Sequence, residues 1–268
     1  MNKRFGAVAA TFLALAISGC GGPATTQTGG GTAAVPSPGS STAAPTEQSA
    51  AIKMGTIADA VSAGWFAGTA KPDFPTGAEG KVDIVSSGPI VATSGGTTVP
   101  VALRNGTADP ITGIDVTGAA VDAAGKILAS GRSQGFSPAS VPSGGVSLGY
   151  VYFDLNTKLP ANAKIEFTVA SKPLEGKPYF QDLKVDQANA VGGAITGKAT
   201  STSDNTVKGP FGVHLTCFDQ KGALLSSQVG FASPDADLSK GQSVTFQISL
   251  YNEPCPSFLV GVSGYGPL

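Results

Sequence analysis

Phe211-Gly212-Val213-His214-Leu215-Thr216-Cys217-Phe218-Asp219-Gln220-Lys221-Gly222 decides the fold of this chain. Val213, Leu215 and Cys217 alternate with His214, Thr216 and Phe218. That period of two predicts a strand with the first three inward and the second three outward. Asp219-Gln220-Lys221-Gly222 then reads as a turn, because Asp bonds the backbone two residues on and Gly supplies a positive φ. A second copy lies about 97 residues upstream, where Ile114-Asp115-Val116-Thr117-Gly118-Ala119-Ala120-Val121-Asp122-Ala123-Ala124-Gly125 aligns with it. Ile127-Leu128 then falls over Leu224-Leu225, and Gly135-Phe136 over Gly230-Phe231. Pro142-Ser143-Gly144-Gly145 falls over Ser239-Lys240-Gly241. The match predicts two tandem domains of one fold rather than a solenoid of small repeats.

The flanking sequence agrees. From Lys81 onward, short apolar or alternating runs are broken by Gly, Pro, Asn or Asp. The first set of expected strands is 99–103, 114–121, 126–129, 146–155 and 164–169. The second is 183–188, 194–200, 211–218, 223–229, 244–251 and 258–262. No segment holds a 3.6-residue apolar period over three turns, so the expected class is all-β, with β-sandwich domains at 81–172 and 178–268 and residues 173–178 as linker. Residues 51–80 are a short helix or loop. Met54, Ile57, Val61 and Trp65 share one helical face, but Gly55, Gly64 and Gly68 weaken the helix. The single Trp is expected to anchor this segment by packing, and 71–80 reads as loop.

In the second copy, Leu215-Thr216-Cys217-Phe218-Asp219 resembles the motif of FxLYD-type domains of bacterial surface lipoproteins. Leu stands for the first aromatic, Cys for Leu and Phe for Tyr; Gly118-Ala119-Ala120-Val121-Asp122 keeps only the Asp. The resemblance covers roughly residues 80–265 and implies immunoglobulin-like β-sandwiches on an actinobacterial-type lipoprotein, in a family without a settled biochemical function.

The N-terminus carries the same address independently. Lys3 and Arg4 precede an apolar run from Phe5 to Ile17, too short to span a bilayer. Ile17-Ser18-Gly19-Cys20 resembles a lipobox, which implies cleavage after residue 19, diacylation of Cys20 and a lipid-anchored location on the extracytoplasmic face of the cell membrane. The alternative is an ordinary export signal that carries a Cys. Residues 20–50, rich in Gly, Pro, Ser and Thr, cannot bury enough surface to offset ordering and read as a disordered tether.

Cys217 and Cys255 remain as one pair in an oxidising compartment, and no CxxC or nearby His suggests a redox or metal site instead. The whole chain holds 17 basic and 18 acidic residues, and loss of Lys3 and Arg4 with the signal leaves an acidic excess. No basic field for nucleic acid or anionic lipid exists in that balance. His214 is the only His, so a Ser-His-Asp triad would rest on one mid-strand residue beside Asp219. A surface strand histidine is the simpler reading. Asp204, Asp235 and Asp237 lack the rest of a calcium loop, and a solvated loop ahead of a Leu238 strand explains them. Asn105-Gly106-Thr107 fits a glycosylation sequon but more simply marks a turn. No catalytic residue, cofactor or metal is assigned.

The expected protein is a non-enzymatic, lipid-anchored envelope module acting as spacer, adhesin or interaction partner for an envelope protein or polysaccharide. The alternative is a small-ligand- or substrate-binding lipoprotein with an inter-domain cleft lined by Tyr150, Tyr152, Tyr179 and Tyr251. A hydrolase built on His214 is the third reading.

Overall fold

Both copies of the Asp-x-x-Gly turn form the same hydrogen bonds. Asp219 Oδ1 accepts from the amides of Lys221 (2.7 Å) and Ala223 (2.9 Å). Asp122 Oδ1 accepts from those of Ala124 and Lys126, both at 2.9 Å. Gly222 and Gly125 take φ of 85° and 81°, the left-handed values that return the chain. A computed structural model describes residues 56–93, 95–154 and 157–267. The signal segment, Ile17–Ser18–Gly19–Cys20, the tether and Met54 lie outside the described residues.

The first domain comprises β2 (Val82–Ser87), β3 (Val91–Thr93), β4 (Gly96–Asn105), β5 (Ile111–Val121), β6 (Ile127–Ser137), β7 (Val146–Phe153) and β8 (Lys164–Pro173). The second comprises β9 (Phe180–Val191), β10 (Ala194–Thr200), β11 (Lys208–Phe218), β12 (Leu224–Ser233), β13 (Ser243–Ser249) and β14 (Ser257–Tyr265). The strand orders are β2-β4-β7-β6-β5-β8 and β9-β10-β13-β12-β11-β14, identical position by position. In each, three hairpin-connected strands and a returning fourth make a Greek key. Only β3, folded back on β4, has no counterpart.

Smaller features repeat as well. The amides of Gly144 and Gly241 bond the carbonyls of Asn105 (2.7 Å) and Ser201 (2.8 Å). Ile111 bridges Val141 as Val207 bridges Leu238, so Leu238 sits in an isolated bridge and not in a strand. The barrels differ in closure. β9 pairs with β14 over Phe180–Leu183 before pairing with β10, which closes the second barrel, whereas β2 and β8 share no ladder.

Each barrel has its own core. Val99, Val101, Leu103, Val151 and Phe153 fill the first. Phe211, Val213, Leu215, Ile195 and Val260 fill the second. The Cys217–Cys255 disulfide ties β11 to the connection ahead of β14. The inward alternation of Val213, Leu215 and Cys217 is as the sequence predicts. Two strands of the first barrel escaped that reading: β2 is half-buried along most of its length with no alternation, and β3 is three residues long. β6 also runs on to Ser137, past a bulge between Ser133 and Phe136 that breaks the period.

A third apolar cluster joins the barrels. Helix α1 (Ile57–Ser62) starts at Thr56, which forms a capping box with Asp59. Its buried face is Ile57 and Ala60, not Ile57 and Val61; Val61 is 37% exposed. The chain continues through β1 (Ala67–Gly68), which pairs with Leu259 and Val260 of β14. This strap delivers Ile57, Phe66, Ala70 and Phe74 onto Ala102 and Leu148 of the first barrel and Phe218 and Leu259 of the second. Trp65 packs at the edge of the same cluster. Gly68 is required here, since a Cβ would stand 2.1 Å from the Phe258 carbonyl oxygen. Arg104 fastens the strap by donating to the carbonyls of Pro75 (2.7 Å), Phe74 (3.0 Å) and Gly144 (2.7 Å).

Candidate binding clefts at the domain junction

The outward face of β11 meets the other domain, with His214 half-buried in a cleft at the junction. Thr216 and Phe218 are buried, and His214 points at Gly135 of β6, where a Cβ would come within 3.0 Å of its Cε1. The expectation of a surface histidine is therefore corrected. The alternation was read properly, but the outer face is covered by the first domain.

His214 stands in a cleft of ≈ 270 Å³ with Phe136, Phe180, Val229, Phe231 and Tyr265. Burial without a charged partner pushes its imidazole down to about 4, so it is neutral near pH 7. Asp182 lies next door, paired in register with Ser263 of this cleft. Its carboxylate accepts from the amides of Ala139 (3.0 and 3.1 Å) and Ser140 (3.4 Å) across the junction. Burial outweighs those two bonds and raises the carboxyl to about 7. Tyr179, Phe180 and Tyr265 pack against one another, with centroids 4.8, 5.3 and 5.5 Å apart.

A second cleft, ≈ 540 Å³, opens elsewhere along the junction and shares Val229 with the first. From the first domain come Tyr150 and Tyr152, on the outer face of β7. The second domain supplies Ser226, Gln228, Tyr251 and Glu253. The Tyr152 ring lies against Gly96, where a Cβ would meet its Cε2 at 2.4 Å. Tyr251 and Asn252 occupy the centre of a tight turn with φ of 48° and 65°, closed by the Glu253 amide on the Leu250 carbonyl (2.7 Å). Positive φ at both central positions defines a type I′ turn, which Asn and Gly suit far better than Tyr. Gln228 Nε2 donates to Glu253 Oε2 at 3.1 Å. The Ser226 hydroxyl, on a residue 6% exposed, has no hydrogen-bond partner among the described residues.

Of the four tyrosines expected to line a cleft, Tyr150, Tyr152 and Tyr251 converge on this one, and Tyr179 belongs to the ring cluster beside the other. Ser226, Gln228 and Glu253 carried no sequence signal, because only the packing of two domains brings them to Tyr150. Other candidates disperse. Asp219 spends its carboxylate on its own turn, and those bonds hold it below the usual carboxylate range; it also lies about 17 Å along the strand from His214. Asp204 pairs with Lys240 at 2.7 Å. Asn105 is fully buried, its side chain donating to the carbonyls of Asp109 and Val141, so it serves the turn. Among the described residues no group of three or more His, Cys, Asp or Glu could hold a metal, and no helix is long and apolar enough to cross a membrane.

No protein-family model matches the chain, and no curated protein is significantly similar to it.

Proposed function

We propose that this chain is a non-enzymatic lipoprotein that acts as an interaction module of the cell envelope. In this reading Cys20 carries the diacylglycerol, Ile17, Ser18 and Gly19 direct cleavage, and residues 21–50 hold the barrels off the extracytoplasmic face. Membrane contact comes from the lipid alone, and the FxLYD-like character of residues 80–265 fits a surface lipoprotein. The observation that carries the binding role is the pair of clefts where two barrels meet, lined by aromatic rings that a mere spacer would not need. Junctions between domains are common places for binding sites.

Two measurements test it. Fatty-acid labelling should mark the wild type and not Cys20→Ala, which should also leave the membrane fraction. Equal labelling of both would end the anchoring reading. The soluble 51–268 segment should sediment with delipidated cell envelopes and stay in the supernatant without them. A protein that never co-sediments would refute the interaction role.

A small-ligand-binding lipoprotein is the second reading, favoured by the ≈ 540 Å³ cleft, which is of ligand size.

A further inference from the structure

We infer that the cleft of Tyr150, Tyr152 and Tyr251 is a glycan-binding site, taking an uncharged stretch of about two or three pyranose units. The inference rests on the envelope-interaction reading and gives it a ligand class.

A pyranose has a face of C–H groups and a rim of hydroxyls. A site for it therefore needs unoccupied aromatic faces and, beside them, donors and acceptors in pairs. Rings in the two clefts are used differently. Tyr179, Phe180 and Tyr265 spend their faces on one another beside His214. Tyr150, Tyr152 and Tyr251 form no ring pair among the described residues; the Tyr152 ring packs on Gly96, and the Tyr251 ring is exposed and open to a ligand. Burial, and then the neighbouring Tyr152, raises the Tyr150 phenol, which stays a neutral hydroxyl donor.

The polar groups match the rim of a sugar. Gln228 and Glu253 form a carboxamide–carboxylate pair that offers an N–H and several acceptor oxygens together. Tyr251 gives an independent sign. It occupies a left-handed position that Asn would fill without strain, and a conformational cost retained at a cleft points to use of the side chain. Size argues against a small quaternary ammonium, which needs rings enclosing it closely; this cleft is open and several times larger.

The test uses the 51–268 protein and titration calorimetry with four neutral tetrasaccharides: tetra-N-acetylchitotetraose, cellotetraose, maltotetraose and α-1,6-mannotetraose. At least one should bind, and Tyr251→Asn should weaken it by about tenfold or more with a melting temperature equal to or above wild type. Phe231→Ala, in the other cleft, should bind as wild type does. Absence of binding by all four at about 10 mM would overturn the inference, as would equal binding by Tyr251→Asn. Loss of binding in Phe231→Ala but not Tyr251→Asn would also overturn it, and so would binding of choline with no sugar. Co-sedimentation with envelopes that survives Tyr251→Asn would leave the interaction module standing and remove only the glycan site.

Discussion

His214 and Asp182 place opposite pH demands on one domain junction. An exposed imidazole titrates near 6.5, and burial pushes this one down to about 4. Between those values the unfolded chain holds the extra proton, so stability rises with pH at about 1.4 kcal/mol per unit. The Asp182 carboxyl moves the other way, from 3.8 up to about 7. Across that window the folded chain holds the extra proton, and stability falls with pH at the same slope. From about pH 4 to 6.5 the two slopes cancel, and above that Asp182 alone pulls stability down. Replacing one group should therefore unmask the other. His214→Gln should lose about 3 kcal/mol of unfolding free energy relative to wild type between pH 4 and 6.5. Asp182→Asn should gain about 3 kcal/mol relative to wild type between pH 4 and 6.5. Urea unfolding at closely spaced pH values measures all three proteins. Because Asp115, Asp204 and Asp219 are common to them, difference profiles isolate the pair. Three parallel curves would refute the argument.

Leu215→Ala and Phe218→Ala should both destabilise by about 3–5 kcal/mol in thermal melts, although they lie on opposite faces of β11, because each fills a separate core. Removing the Cys217–Cys255 bridge by paired alanines should cost about 4 kcal/mol for a loop of this length in the chain-entropy model, read from denaturant midpoints. Arg104→Met should leave three strap and turn carbonyls without their charged donor and destabilise by about 3 kcal/mol. A melt within about 0.5 kcal/mol of wild type would show that the strap is not held by this side chain.

The Greek keys were largely legible because their strands alternate and their turns use Asp and Gly for local reasons. Alternation at 213–218 separates two faces but cannot say what lies over the outer one. That face was given to solvent, where Thr216 is in fact buried and Phe218 packs with the strap and the first barrel. β2 was invisible for a related cause. Half-buried on both sides, it carries Val82, Ile84 and Val85 without a clean period. The clefts were legible only as a supply of tyrosines. Tyr150 and Tyr251 converge through long-range packing, and the polar residues between them are ordinary in composition.

The strap bonds the last strand: the amides of Thr69 and Ala70 donate to the Phe258 carbonyl, and the Phe258 amide to the Thr69 hydroxyl 189 positions away. Contacts this distant in sequence form late, since the intervening chain must first be ordered. The strap, synthesised ahead of both barrels, is thus the segment that seats after they exist. It also holds the only Trp in the chain, at position 65. Tryptophan emission should accordingly follow seating of the strap, while far-UV circular dichroism follows the barrels. In stopped-flow refolding the emission change should lag the dichroism change, and simultaneous phases would show that strap and barrels fold as one unit.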